Sequence, residues 1–490
     1  MNPKKYDIIV IGAGYAGLTA AALLQKKGHS VALLEAHTEI GGCASFYDRD
    51  GFRFEAGATT ISGIKPHQPF GKLFDELSIN PELIKMDPGV VVHLAGDTFN
   101  RPADLVDLLQ ASEAFFGKTT IPFWQKILKL EEAAYQLSGS NSYLPPYSLG
   151  DYLKLIRFRN LSGLPLLPAL FTSTETVLQR MGLAENTLFR QFVEEQLMIT
   201  AQNTSSDTPF LTAALALAYP NDTYYPVGGM TAPAQLISDV FQRYGGTLLL
   251  KEQVTAIIRE ANSRYLIRSK RGNNYSARAI VSAIPVYNLP ALTEGEISSY
   301  FARVSSSLPP LWGAATVNFG ISDANLPDTL YHQFHGEAPY PGEGSRSVFI
   351  SLSKRDDTRK APSGWRAVSI STHTRPSGWF GLPKEEYIRK KSVMTNRMME
   401  YFFSAFPEAR GNEVVYLEGG TPKTFSNYTR RKDGTVGGIP HSVRYGLLRM
   451  PGIVTPFRNF YCTGDSTAFG QGTLAVVLST MNLAERFHLH

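Results

Sequence analysis

Tyr6-Asp-Ile-Ile-Val-Ile11 is a near-continuous apolar run, the pattern of a strand buried on both faces. Gly12, Gly14 and Gly17 interrupt it, and Ala16 to Lys27 then reads as a helix that stops at Gly28. Ser30-Val-Ala-Leu-Leu-Glu35 restores a strand. A similar alternation returns later, with a helix ending at Tyr244 before Gly245-Gly246, strands around Val254 to Ile258, and a hairpin turn at Asn273-Asn274. Ala279 to Ala283 is a further core strand. Two long segments separate these parts. Residues 61–224 read as mostly helical, broken at Pro145-Pro146, Pro165 and Pro168, whereas residues 291–439 hold strand-like runs at Ala314–Phe319, Ser347–Leu352 and Trp365–Thr372.

The pattern around the first three glycines carries chemistry. Gly12 allows a tight turn, Gly14 lets the backbone approach a pyrophosphate, and Gly17 lets helix pack on strand. The helix N-terminus offers free N–H groups to phosphates. Glu35 closes the second strand at the spacing of a carboxylate that binds a ribose with a free 2′-hydroxyl, which favours FAD or NAD over NADP.

The motifs that follow choose between those two. Gly41-Gly42 stands where FAD enzymes of the glutathione-reductase and amine-oxidase type carry a second glycine pair. Gly51-Phe-Arg-Phe-Glu-Ala-Gly57-Ala58-Thr59 resembles a segment of carotenoid desaturases and isomerases, and Tyr225-Pro-Val-Gly228-Gly229-Met resembles their mid-chain motif. Gly434-Thr-Val-Gly437-Gly438-Ile-Pro440-His and Asn459-Phe-Tyr-Cys-Thr-Gly464-Asp465 match the family's two C-terminal signatures, and Gly470-Gln-Gly472 opens a closing helix. The likeness is nearest to the bacterial 3,4-desaturases, including those acting on 1-hydroxy carotenoids. Carotenoid cis–trans isomerases and retinol saturases are near relatives.

This resemblance implies an α/β fold: a discontinuous Rossmann-type FAD-binding domain made of residues 1–60, 225–290 and 440–490. It implies a helical, membrane-associating insertion at 61–224 and a strand-rich, mixed α+β substrate domain at 291–439. By the same resemblance the cofactor FAD is held by Gly12, Gly14, Tyr15, Ala16, Gly17, Glu35, Ala36, Gly41, Gly42, Cys43, Ala58 and Thr59. The backbone near Val254 meets the adenine, Gly464-Asp465 the ribityl-phosphate, and Gly472, Thr473 and Leu474 turn a helix N-terminus toward the flavin. Many relatives carry Arg directly after the glycine pair. Here Cys43 stands there, so a phosphate contact from that side chain is lost.

Composition narrows the alternatives. With 43% hydrophobic and 19% charged residues, the 490-residue chain is a globular enzyme able to fill two or three cores. A net charge of +5 allows attraction to an anionic membrane surface, yet no basic, aromatic-interleaved patch suits nucleic acid. The two cysteines, Cys43 and Cys462, exclude a disulfide framework, and each fits a small buried position better than a thioether link to flavin. No His/Asp/Glu cluster has metal-ligand spacing. Tyr6 to Leu24 scores as a span on hydropathy, but the glycine turn inside it breaks the helix, and no other run approaches the roughly 20 residues needed. The chain enters its first strand at once, so it is expected in the cytoplasm, peripherally attached to the inner face of a membrane. Tyr152 to Phe171, with Lys154, Arg157 and Arg159 beside a long apolar run, is the segment suited to that attachment or, equally, a surface helix and buried loop.

No acid or base is assigned with the same force. Glu194-Glu195 sits beside apolar residues, but adjacent helical positions diverge by roughly 100°, so both cannot face one pocket. His441, in a family motif, has a better claim to fixing a loop than to catalysis. Aromatics at Phe115-Phe116, Phe123-Trp124 and Tyr143 to Tyr147 could line a polyene tunnel or fill ordinary core. The expected reaction is therefore FAD-dependent desaturation of an acyclic, 1-hydroxy-type carotenoid at C3–C4, with an electron acceptor that the sequence does not identify. The alternatives are a carotenoid isomerase using reduced FAD, a polyene or retinol saturase, and, in another class, a flavin-free prenyl-binding protein of the Rab-escort type.

Overall fold

A computed structural model describes residues 3–139, 141–143, 146, 149–155, 163, 166–261, 263–337, 345–446, 449–467 and 470–489. Lys4–Ile11 lies between two parallel neighbours, Val31–Leu34 and Asn274–Ser282, with Ile8 opposite Val31 and Ala279. Thr247–Leu249 extends the sheet on one side. Tyr265–Ser269, Val254–Arg259 and Phe460–Cys462 complete its seven strands on the other. Because the central strand is apolar at Ile8, Ile9, Val10 and Ile11, it buries both faces. The helices Tyr15–Lys26, Thr231–Arg243 and Gly472–Arg486 share one apolar cluster with Ile8 and Val10, through Leu18, Ile237 and Val477. Ile9 and Ile11 face a second cluster with Leu289, Phe301 and Phe460.

A second seven-stranded sheet runs Val414–Gly420, Gly313–Ser322, Trp365–Thr374, Ser347–Leu352, Tyr331–His335, Val90–Leu94, Asp97–Arg101. Its last two strands come from the segment read as helical from sequence. The local signal is a hairpin: Ala95 and Gly96 both have positive φ, so a two-residue turn pairs Leu94 with Asp97 and Val92 with Phe99. Val91 then pairs in parallel with His332, which places this early hairpin on the sheet of the later insertion.

Helices between residues 105 and 218 pack on that hairpin. Phe99, Phe116, Phe123, Trp124, Phe189 and Phe192 form a ring-on-ring core, with Trp124 Nε1 donating to Ser112 Oγ at 2.8 Å. Phe116, Phe123 and Trp124 are buried there, and neither they nor Phe115 faces the large cavity described below. The tunnel reading is thus corrected for these residues, because burial against the hairpin and neighbouring helices takes up their rings. Tyr143 stacks near the Lys154 ammonium, while Leu144, Pro145 and Tyr147 lie outside the described residues, as do Arg157 and Arg159. Among the described residues, no helix is long and apolar enough to cross a membrane.

Candidate cofactor and substrate cavity

The glycine turn is built by backbone. Gly12 has φ +97°, and its N–H donates to Leu34 O at 2.8 Å, locking the turn to the second strand. Gly17 is packed so closely that a Cβ would lie 1.7 Å from Gly12 O. It therefore contacts no cavity and serves helix–strand packing alone. Gly14 is the N-cap of Tyr15–Lys26 and makes no side-chain cap, so the first N–H groups of the helix remain directed at the space in front of them. The Glu35 carboxylate borders the same space, accepting from Ala13 N at 2.6 Å and His37 N at 2.7 Å.

Gly41 and Gly42, at φ +103° and +62°, fold a short turn back onto Gly14. The Gly57 position is equally tight, since a Cβ there would meet Cys43 O at 2.5 Å. Ala58-Thr59 is held from the opposite side: Thr59 Oγ1 shares a hydrogen bond with Ser351 Oγ at 2.7 Å, and the Tyr331 hydroxyl donates to Thr59 O at 2.9 Å. The mid-chain motif Tyr225–Met230 braces this arrangement instead of lining it. Gly228 N and the Tyr225 hydroxyl both donate to Asp357 Oδ2, and Met230 N donates to Glu55, whose carboxylate also pairs with Lys360 at 2.8 Å.

The closing helix Gly472–Arg486 likewise has no side-chain cap at Gln471. Its first turn, Gly472, Thr473 and Leu474, borders the same cavity as the first helix, together with Gly464 and Asp465. His441 accepts from Gly470 N at Nε2 (3.1 Å), which leaves the proton of a neutral ring on Nδ1, facing Thr212 Oγ1 at 3.1 Å. This ring ties the loop before the closing helix to the helix Phe210–Ala218. Gln471 donates to Ile439 O, while among the described residues its buried Oε1 has no partner, as is true of Ser45 Oγ and Asn318 Oδ1 around the same cavity. Two uncapped helix N-termini, a ribose-type carboxylate and orphaned polar atoms around one space fit a dinucleotide such as FAD.

Other predicted residues lie elsewhere. Ala36 and Val254 do not border the cavity, and Val254 is buried in the core with Ile257. Glu195 is buried and accepts from Ser345 Oγ, Arg346 N, Ser347 N and Ser347 Oγ at 2.7–3.1 Å. Glu194 receives Ser205 N and Ser205 Oγ. Neither borders the cavity, so both are corrected from acid–base candidates to anchors of the chain around them. Burial raises the pKa of both thiols. Cys43 faces the cavity, whereas Cys462 sits inside the first sheet. Among the described residues no group of three or more His, Cys, Asp or Glu could hold a metal ion.

The cavity measures about 1180 Å³. Beyond the cofactor cradle it runs between the second sheet and the helices, past Ile199, Leu211, Leu215 and Phe349 to Leu170 and Phe171. Polar groups punctuate it: Gln196 donates to Gln333, and His373, its pKa lowered by burial to about 4, meets Gln202 Nε2 at 3.1 Å. Sequence reasoning did not find these residues, nor Arg431, which pairs with Asp465 at 2.7 Å. Only Arg431 had a local cue, three positions before the Gly434 signature.

Comparison with known proteins agrees with this geometry. Residues 15–486 match the family of flavin containing amine oxidoreductases. A prolycopene isomerase of Daucus carota is 27% identical over 512 residues, covering 99% of this chain and 80% of that protein. A 1-hydroxycarotenoid 3,4-desaturase of Flavobacterium sp. is 24% identical, covering 97% and 98%. A solved putrescine oxidase, redesigned in its cofactor site, superposes with a TM-score of 0.66 over 99% of both chains at 16% identity.

Proposed function

The chain belongs to the flavin-containing amine oxidoreductase family and is an FAD-dependent oxidoreductase; from that premise we propose that its substrate is a long acyclic carotenoid, from which it removes two hydrogens at C3–C4. The observation that carries this reading is the cavity of about 1180 Å³, larger than the roughly 300–1,000 Å³ of sites for drug-sized ligands, which gives room for a dinucleotide and a second, elongated ligand. When bound, FAD supplies hydride acceptance. The chain's residues do the rest. The Gly12–Gly17 turn and the Gly472 helix fix the cofactor's ends. Thr59, tied to Ser351, separates its position from the second sheet, and Ile199, Leu211, Leu215 and Phe349 exclude water from an apolar chain. The similarity to a carotenoid isomerase favours a second reading, cis–trans isomerisation with no net electron transfer.

The deciding experiment is pigment analysis after expression in cells that make an acyclic carotenoid. Desaturation lowers product mass by two hydrogens and lengthens the absorbing polyene; isomerisation shifts the spectrum at constant mass; a saturase raises mass. Unchanged mass during sustained turnover defeats the desaturase reading. We further propose that the protein docks on an anionic membrane on the cytoplasmic side. Leu167 and Phe171 border the cavity and are 48% and 67% exposed, with Leu153 exposed nearby in sequence. Liposome binding should weaken as salt rises, because ionic attraction is screened over roughly 10 Å at 0.1 M. Replacing Lys154, Arg157 and Arg159 with Gln should reduce it. Equal binding after that change would move the docking site elsewhere.

A further inference from the structure

FAD carries two phosphates, and a buried wall that receives them needs positive charge where water cannot supply it. Helix N-termini contribute only partial charge. Among the described residues bordering the cavity there is no lysine, and arginine occurs twice, at Arg49 and Arg431. Arg49 is exposed at the end of the short strand Phe46–Arg49. Arg431 is buried. Its Nη2 lies 2.7 Å from Asp465 Oδ2 and donates to the Tyr287 hydroxyl at 2.7 Å, and its Nε donates to Thr435 O at 2.5 Å. The Cys43 thiol is against the same guanidinium. Next to Cys43, Gly42 packs so near the first helix that a Cβ on it would lie 3.2 Å from Gly14 Cα. The guanidinium thus stands between the phosphate cradle at Gly14 and the Gly464-Asp465 turn.

We propose that Arg431 is the cation of the FAD site: it faces the pyrophosphate–ribityl stretch, held in place by Asp465, Tyr287 and Thr435. The glycine pair is followed by an uncharged thiol, and the charge reaches that position through space from a residue 388 positions later (431 − 43). This role is independent of which polyene occupies the cavity. A bystander that only neutralised Asp465 would lose its effect on FAD binding once Asp465 is replaced by Asn, whereas the cation of the site would keep it.

The test is titration of the deflavinated protein with FAD and with riboflavin, followed by flavin fluorescence, in the unsubstituted protein and in Arg431→Gln. Loss of a charge-assisted contact should weaken FAD binding roughly ten- to hundredfold while riboflavin affinity stays within about twofold. Unchanged FAD affinity overturns the proposal, and so does an equal loss for FAD and riboflavin. If the glutamine variant does not fold, Arg431→Lys carries the test. FAD affinity within roughly tenfold of the parent supports the proposal, since the charge is kept, and a folded lysine variant that no longer binds FAD overturns it.

Discussion

The two ends of the cavity are made of different material. Around Gly12–Gly17 and Gly41-Gly42 the wall is backbone, turned by positive φ and open at an uncapped helix end. Along the second sheet the wall is side chain: Gln333, Phe349, Ser371 and His373 project from three different strands, and Gln196, Ile199 and Leu215 answer from two helices. At Gly41, Gly42 and Gly57 an added Cβ would lie 3.1, 3.2 and 2.5 Å from main-chain atoms, which cannot rotate away. A side-chain wall can exchange one group for another while the sheet beneath it stays put. The cofactor end is therefore specified by what is absent, and the substrate end by what is present.

The sharpest way to test this contrast is one substitution in the helix–strand packing behind the backbone wall and one in the side-chain wall. Gly17→Val forces a Cβ onto Gly12 O and should yield no folded, flavin-bearing protein. Ser371→Ala should keep its flavin and its stability within about 0.5 kcal/mol. A yellow, stable Gly17→Val protein would remove the distinction. Next in size is Trp124→Ala, which empties the aromatic core behind the substrate wall and removes one of the hydrogen bonds of Ser112, whose bond to Thr120 remains. It should cost about 3–5 kcal/mol in thermal unfolding while FAD stays bound below the transition. Early release of FAD in that variant would mean that the two ends are coupled.

Acid should also act on the second sheet. Burial holds His332 and His335 down to about 3 and His373 to about 4, below the 6.5 of an unfolded chain. The unfolded state then takes up protons first. The stability these neutral rings contribute is complete above pH 6.5 and is lost as pH falls toward 4 and then 3. The loss is at most about 1.4 kcal/mol per pH unit for each ring. Unfolding followed by flavin release and by tryptophan fluorescence between pH 7 and 5 measures it, and a flat profile would refute the burial argument. A local effect is expected from Glu195→Gln: about 1–3 kcal/mol of stability, from weakened bonds to Ser345–Ser347, with unchanged turnover per bound flavin. A large fall in turnover at full stability would return Glu195 to catalysis.

What could be read from the sequence follows the same division. The Tyr6–Glu35 unit was legible because glycine, strand and helix signals lie within thirty residues and each constrains the backbone locally. Gly464, Asp465 and Gly472 were legible as motifs, and they border the same cavity as Gly12 and Gly14. Glu194 and Glu195 were ambiguous. Their partners at residues 205 and 345–347 are chosen by packing, not by neighbours on the helix.

By itself, then, the sequence determined the glycine turn, the ribose-type acid at Glu35 and the apolar strand between them, because these depend on φ, ψ and short-range sterics. It also determined that Cys43 brings no charge to the glycine pair. Only the tertiary structure decided that the hairpin Val90–Arg101 joins the second sheet, that Phe123 and Trp124 are core and not tunnel, and that Arg431 reaches Cys43 and Asp465. Each of these is a pairing across some 30 to nearly 400 residues, whose partner is settled by burial and charge balance in the folded chain and leaves no periodicity to read.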